Sequence, residues 1–314
     1  MWMTVIRRLL MAIPLLFASS IVVFSLVLAV PGDPAATLAG DNATPERIES
    51  IRLALGLDRP LVEQYLDWAG GVLQGDLGTS LLSSDRVSDT IIQRLPVTLS
   101  LALAAIVLGL LIGVPAGVVS ALKRNRWPDR VSTVGASAGM AMPNFWLGLV
   151  FVVVFAVKNP WFPPSGYVRF TDSPGEWLHH IFLPALTLAS GAAAEITRQL
   201  RGSLSDALGT DYVRTARAKG LRRWSVVGKH AAKNASIPVV TVLGLQFSLL
   251  LGGTVAVERV FGIPGLGSSI IDAVLGKDLP MIQGIVLLLT FAVVMTNLVV
   301  DVAYGYLNPK IRMG

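Results

Sequence analysis

The sequence predicts an all-α integral membrane protein with about six transmembrane helices and a small helical segment outside the bilayer. Three observations carry that reading. Of 314 residues, 53% are hydrophobic and 15% charged, and the mean hydropathy is +0.64. A soluble domain carries about 25% charge, so these charges are too few to cover a water-facing surface of this size. Six runs approach the roughly 20 apolar residues a helix needs to cross hydrocarbon, and the cations between them fall mainly on one side.

The first run is Leu9–Val30, preceded by Arg7 and Arg8. It is longer than the roughly 7–15 residues of a signal-peptide core, and is read as a retained span closing a first unit, residues 1–30. The stretch 31–95 is then a helical extracytoplasmic segment. Thr44-Pro45-Glu46 has the cap, first-position proline and acidic first turn of a helix start, and Gly56 stops that helix. Leu57–Leu73 is expected to form a second helix, with Leu61, Tyr65, Leu66, Trp68 and Leu73 as its apolar contacts. Such a segment is a lid on the bundle, a docking surface for an extracytoplasmic partner, or both.

Residues 96–314 hold the remaining five runs: Val97–Leu122, Val131–Val157, Ile181–Leu200, Ile237–Val257 and Met281–Tyr304. Pro14, Pro115, Pro143 and Pro184 fall inside runs. A membrane bundle tolerates this because neighbouring helices re-satisfy the freed backbone groups. Small residues let helices approach closely. Glu195 and Asp301 are the acids within the runs, both near the basic ends of their helices, and Glu195 can pair with Arg198 three residues on. That leaves no midplane proton relay, which disfavours ion coupling.

With the N-terminus inside, the inner segments carry Arg7, Arg8, Lys123, Arg124, Arg126, Arg130, Lys310, Arg312 and the cations of 198–233. These make 17 of the 26 Lys and Arg, while 15 of the 20 acids lie outside. The bias follows the positive-inside rule, puts both termini in the cytoplasm, and accounts for the net charge of +6 without nucleic acid. In the outer loop 158–180, prolines 160, 163 and 164 stiffen the chain, and Trp161 and Tyr167 suit the membrane boundary. Adjacent His179 and His180 point about 100° apart on a helix, a poor chelate, and are read as structural.

The inner segment 201–236 holds the candidate site. Asp211–Gly220 reads as a short helix closed by glycine, and Leu221–Asn234 restarts a helix. Ala216, Ala218 and Gly220 form a small patch that another backbone could approach, ringed by Arg214, Arg217 and Lys219. No catalytic constellation accompanies it. There is no Walker A pattern, no HExxH, and no GxSxG or GxGxxG following a strand. With no cysteine, thiol nucleophiles and thiolate metal sites are excluded. A conduit whose energy comes from a separate subunit fits this better than an enzyme.

Along nearly its whole length the chain resembles the permease subunits of ATP-binding-cassette importers for dipeptides, oligopeptides and nickel. The matching stretches are Pro31–Pro34, Leu55–Pro60 with Gln64-Tyr65, Gly75–Ser80, Pro143–Gly148, Pro164–Tyr167, Tyr212–Gly220, and Val257–Gly267 with Asn297, Asp301 and Pro309. The resemblance implies a type I importer permease fold of the first-permease type and bacterial inner-membrane placement. It implies that Tyr212, Arg214, Thr215, Ala216, Ala218, Lys219 and Gly220 form a coupling helix against an ATPase. It implies as partners a second, non-identical permease, one or two ATPase subunits that hold ATP and Mg, an extracytoplasmic substrate-binding protein and membrane lipid. The chain itself is expected to hold no cofactor or metal. Against the general Glu-Ala-Ala pattern, the chain has Arg214, Thr215 and Ala216, and His230 and Lys233 stand where Ile and Pro are common, so no mechanism needs a Glu at 214. Peptide is the implied cargo, with nickel, glutathione, heme or a sugar as alternatives; a membrane sensor or scaffold is the competing class. Pore-lining residues are not assigned.

Overall fold

The computed structural model describes residues 2–29, 33–39, 43–54 and 56–307. Pro31, Gly32, Leu55, Pro309, Lys310 and Arg312 lie outside them, as do the side chains of Arg7, Arg8, Arg223, His230, Lys233 and Asp301. The described chain is helical, and its strand-like feature is one isolated bridge between Thr79 and Arg86. The helices are α1 (Trp2–Ala29), α2 (Pro34–Ala39), α3 (Pro45–Ala54), α4 (Leu61–Leu73), α5 (Val87–Leu122), α6 (Trp127–Ala141), α7 (Asn144–Val152) and α8 (Pro174–Leu208). They continue as α9 (Asp211–Ala218), α10 (Arg223–Ser225), α11 (Ala232–Gly253), α12 (Val255–Val260), α13 (Leu266–Leu275) and α14 (Leu279–Leu307). A wide π-helical turn extends α7 through Val153–Lys158, and another, Val226–Ala231, joins α10 to α11.

All six apolar runs fall on helices, but not all as simple spans. By length and composition α5 and α14 are each able to cross a membrane, and α6 and α7 together make a third crossing if the bent pair counts as one. That bend is 102° and corrects the expectation of one continuous helix over 131–157. Met142, preceding Pro143, is extended at φ −83°, ψ 127°, the conformation a following proline favours. Pro115 leaves α5 intact. There α5 is gripped on α8 through Gly113 and Gly117, whereas Met140, Met142, Phe145 and Trp146 around Pro143 are exposed.

The centre of the fold is the α5–α8 pair. Leu101, Ala105, Gly109, Gly113 and Gly117 recur every fourth residue and are buried along one stripe of α5. A side chain at Gly113 would stand 2.8 Å from the Ala193 carbonyl, and one at Gly117 would stand 3.0 Å from Leu200. Lipid tails are as apolar as leucine, so helices in a bilayer gain by close approach rather than by hydrophobic burial. One buried cluster joins Leu101, Ile181, Leu188, Val257 and Phe261; a second, at the basic end, joins Ala121, Ile196, Leu204, Val213 and Val226.

The segment 31–95 forms its two expected helices with two departures. Of the second helix's expected apolar contacts, Leu61, Leu66 and Leu73 are exposed. Gly56 ends the first helix at φ +65°, but the second starts at Leu61 rather than Leu57, because Pro60 supplies the extended entry residue. Tyr65 and Trp68 stack edge-on or tilted against Phe17 and Phe24 of α1, and the Tyr65 hydroxyl lies 2.8 Å from Ser20 Oγ. The segment's end is anchored as well. Buried Asp278, just before α14, accepts from the Ser80 hydroxyl and from the Leu81 backbone N–H at 3.1 Å. The segment is thus tied to α1 at Tyr65 and Trp68 and to the start of α14 at Ser80 and Leu81.

Candidate coupling segment at the basic end

α8 runs unbroken to Leu208, and Gly209 and Thr210 turn the chain into α9. Asp211 in its first turn and Arg217 in its last complement the helix dipole. Arg214 pairs with Asp211 across one turn at 3.2 Å. The far end closes as a Schellman motif. Gly220 N–H donates to the Arg217 carbonyl at 3.0 Å and Leu221 N–H to the Ala216 carbonyl at 3.3 Å, with Gly220 at φ +73°. This left-handed position is where glycine carries no Cβ penalty.

The helix has two faces. Val213 and Ala216 are buried in the basic-end cluster against Leu204, Ala207 and Val226. Tyr212, Arg214, Thr215, Ala218, Lys219 and Gly220 are exposed. The sequence-based patch is thus split: Ala216 seals α9 onto its own chain, because it lies three residues after fully buried Val213 and shares its face. Ala218 and Gly220 remain outward, and a side chain built on Gly220 meets nothing within 4 Å. Trp224, which the sequence analysis did not single out, is 79% exposed close by. A bulky aromatic among cations, on a segment already read as a contact surface, was the signal for it. Beneath the segment a cavity of about 640 Å³ lies between Leu122, Ser205, Leu208, Arg217 and Leu221.

Three buried carboxylates were missed, since all were counted as loop charges. Asp129, in the first turn of α6, receives a two-pronged contact from Arg201 of α8 (Nε–Oδ1 2.6 Å, Nη2–Oδ2 2.9 Å), together with the Ser120 hydroxyl and the Asn125 N–H at 2.8 Å. Glu258 is fully buried and accepts from the Thr98 hydroxyl and from the Ser268 N–H at the start of α13, both at 2.8 Å. Thr98 Oγ1 in turn accepts from Leu266 N–H. Gly265 and Gly267 line this carboxylate, where any side chain would collide with it. The third is Asp278. For Glu258 the available cue was an acid a few residues ahead of the glycine-rich start of α13.

The other sequence-picked stretches converge at the opposite end from α9. Gly148 of α7 faces Phe261, Gly166 N–H donates to the Phe261 carbonyl at 2.9 Å, and Tyr167 OH lies 3.0 Å from Ser100 Oγ. His179 donates to the Trp161 carbonyl at 2.7 Å and His180 to the Glu176 carbonyl at 2.9 Å. Among the described residues no group of three His, Cys, Asp or Glu side chains is placed to hold a metal. Glu195 pairs with Arg198 at 2.6 Å as expected. The literal glycine–serine–glycine spacing at Gly135, Ser137 and Gly139 lies within helix α6, with no strand-to-helix elbow.

The site is a basic helix packed on the ends of apolar helices, and comparisons with known proteins specify its class. Residues 113–313 match the family described as the binding-protein-dependent transport system inner membrane component, and residues 1–102 match its N-terminal family. A putative peptide transport system permease protein of Brucella abortus strain 2308 is 43% identical over 308 residues, 98% of each chain. The glutathione transport system permease protein of Escherichia coli K12 is 46% identical over the same length and coverage. In fold, the chain is similar to an inward-facing structure of the MetNI methionine ABC transporter. The TM-score is 0.59 at 18% identity, covering 69% of this chain and 96% of the other. The chain belongs to the inner-membrane permease components of binding-protein-dependent transport systems. It is a bacterial inner-membrane ABC importer permease subunit, and not an enzyme.

Proposed function

We propose that this permease carries di- or oligopeptides, glutathione among them, and that α9 is its coupling helix. The observation that carries the proposal is the two-faced packing of α9. Its Val213–Ala216 face packs on the end of α8 and on the Val226–Ala231 turn that leads into α11, so a force on the exposed face passes into those two elements rather than into a loose loop. That exposed face, Tyr212, Arg214, Thr215, Ala218, Lys219 and Gly220, is the surface an ATPase subunit would grip. ATP and Mg belong to that partner, of which one or two copies serve the complex. A second, non-identical permease completes the pathway, and an extracytoplasmic binding protein delivers the cargo. The six apolar runs serve as six spans, with both termini and α9 in the cytoplasm, as the distribution of Lys and Arg supports. The peptide and glutathione permeases among its relatives favour this cargo over nickel, heme or sugar.

The test is a pair of substitutions at one position. Gly220→Asn keeps a residue tolerant of the left-handed conformation and is expected to retain uptake. Gly220→Glu places a charged side chain on the docking face and is expected to abolish peptide uptake while membrane insertion persists. If the Glu variant still coupled ATP hydrolysis to uptake, α9 would not be the docking helix. Peptide-stimulated ATPase activity of the reconstituted complex, measured over a panel of peptides and glutathione, tests the cargo.

A further inference from the structure

We propose that the Arg201–Asp129 contact is the joint through which displacement of α9 reaches α5 and α6. On this view Arg201 and Asp129 are positioning residues for coupling. The proposal rests on the reading of α9 as the coupling helix.

Arg201 lies in α8, which continues without a break to Leu208, with two residues between it and the start of α9. At about 1.5 Å per residue, Arg201 stands roughly 10 Å along a rigid rod from the turn that α9 pulls on. Its guanidinium crosses to Asp129 with two N–H···O contacts of 2.6 and 2.9 Å. A fork of this kind fixes orientation as well as distance. Along the stripe between α5 and α8 the Thr197 hydroxyl donates to the Gly113 carbonyl at 3.3 Å, a single contact that lacks the two-pronged geometry of the fork. Asp129 in turn holds both sides of the α5–α6 turn, through the Ser120 hydroxyl at the end of α5 and the Asn125 N–H within the turn. One carboxylate therefore links three elements: the rod that carries α9, the last turn of α5 and the first turn of α6.

A plain turn staple would need Ser120, Asn125 and Asp129 but not Arg201, which comes from 72 residues away. The Arg201 side chain is about one-third exposed, whereas that of Asp129 is 4% exposed. The buried half of the pair thus belongs to the turn and the accessible half to the moving rod. Beyond α6 the chain bends by 102° at Met142–Pro143, so a rotation imposed at Asp129 swings the following segment rather than dissipating along one straight helix.

The experiment uses the full transporter in proteoliposomes, with cargo uptake and ATP hydrolysis measured in the same vesicles and bound ATPase subunits quantified. Arg201→Gln and Asp129→Asn are expected to lower uptake per ATP by about tenfold, with the ATPase subunits still bound. Arg201→Lys, which keeps the charge but not the fork, is expected to fall between them and the wild type. Unchanged uptake per ATP in the assembled single variants would overturn the proposal in favour of a structural staple, whatever the yield of complex. Full coupling in Arg201→Lys would overturn the need for the two-pronged geometry. Gly220→Glu run in parallel separates the two readings. If it uncouples and Arg201→Gln does not, the joint alone fails; if it stays coupled, the docking assignment fails first.

Discussion

Gly113 gives the sharpest quantitative test of how the helices are held together. Replacing it by alanine puts a methyl group 2.8 Å from the Ala193 carbonyl oxygen and 2.9 Å from Ile196 Cβ. Neither neighbour is the flexible end of a long side chain, so α5 has to draw back from α8. Overpacking of this kind costs about 1–3 kcal/mol, while exchanging glycine for alanine within a helix returns about 1 kcal/mol. The net expectation is a loss of about 0–2 kcal/mol, which leaves Gly113→Ala about 1–3 kcal/mol below an unobstructed Gly→Ala exchange. Gly202→Ala in α8 is the matched control, because a side chain there meets nothing within 4 Å; it should gain up to about 1 kcal/mol from propensity alone. Gly109→Ala, whose nearest contact is the Ala192 methyl at 3.1 Å, should cost less than Gly113→Ala. Unfolding of the purified protein in detergent by titration with dodecyl sulfate, followed by helical circular dichroism, reads these differences. A Gly113→Ala protein as stable as Gly202→Ala would refute close α5–α8 approach as the source of their cohesion.

Two further outcomes follow from the geometry. Glu258→Gln keeps one acceptor where the carboxylate serves two donors, and should lose about 1.5–3 kcal/mol. Glu258→Ala should lose more by orphaning both Thr98 and Ser268, and a Gln variant matching the wild type in the same titration would show that one acceptor suffices. Because the natural chain has no cysteine, single cysteines report sidedness directly. Lys158→Cys in intact spheroplasts should react with a membrane-impermeant maleimide, and Arg124→Cys and Lys219→Cys only after permeabilisation; the reverse pattern would invert the topology.

What the sequence made legible is what depends on local chemistry. Apolar runs, the Thr44-Pro45 start, the Gly56 and Gly220 stops and the Glu195–Arg198 pair each need only their near neighbours, and each is found. What it hid depends on partners distant in sequence. Pro115 and Pro143 look alike in isolation, and only the grip of α8 on Gly113 and Gly117 distinguishes a helix that runs through its proline from one that bends. Ala216 needed the phase set by Val213, which the contacts with Leu204 and Val226 fix. Helix α13, absent from the sequence-based expectations, has its first turn capped from Glu258, which accepts from the Ser268 N–H.

The three missed carboxylates share a position that bears on how such a permease moves. Asp129, Glu258 and Asp278 each sit at or just before a helix start and bind a segment far away in sequence: α8, α5 and the loop at Ser80. Between the helix ends, contact is made chiefly by small residues, with one long hydrogen bond from the Thr197 hydroxyl to the Gly113 carbonyl at 3.3 Å. In hydrocarbon, helices gain little by leaving lipid for one another except through close approach and polar bonds. Sliding along the glycine stripe therefore exchanges one set of weak contacts for another, while parting at the ends strands a buried carboxylate, which costs far more. A switch in access is then most cheaply made by helices that pivot about these polar ends, with the stripe as the bearing surface. Under the proposed coupling role of α9, the joint nearest it, Asp129 with Arg201, is the one that a force from the basic end would reach first.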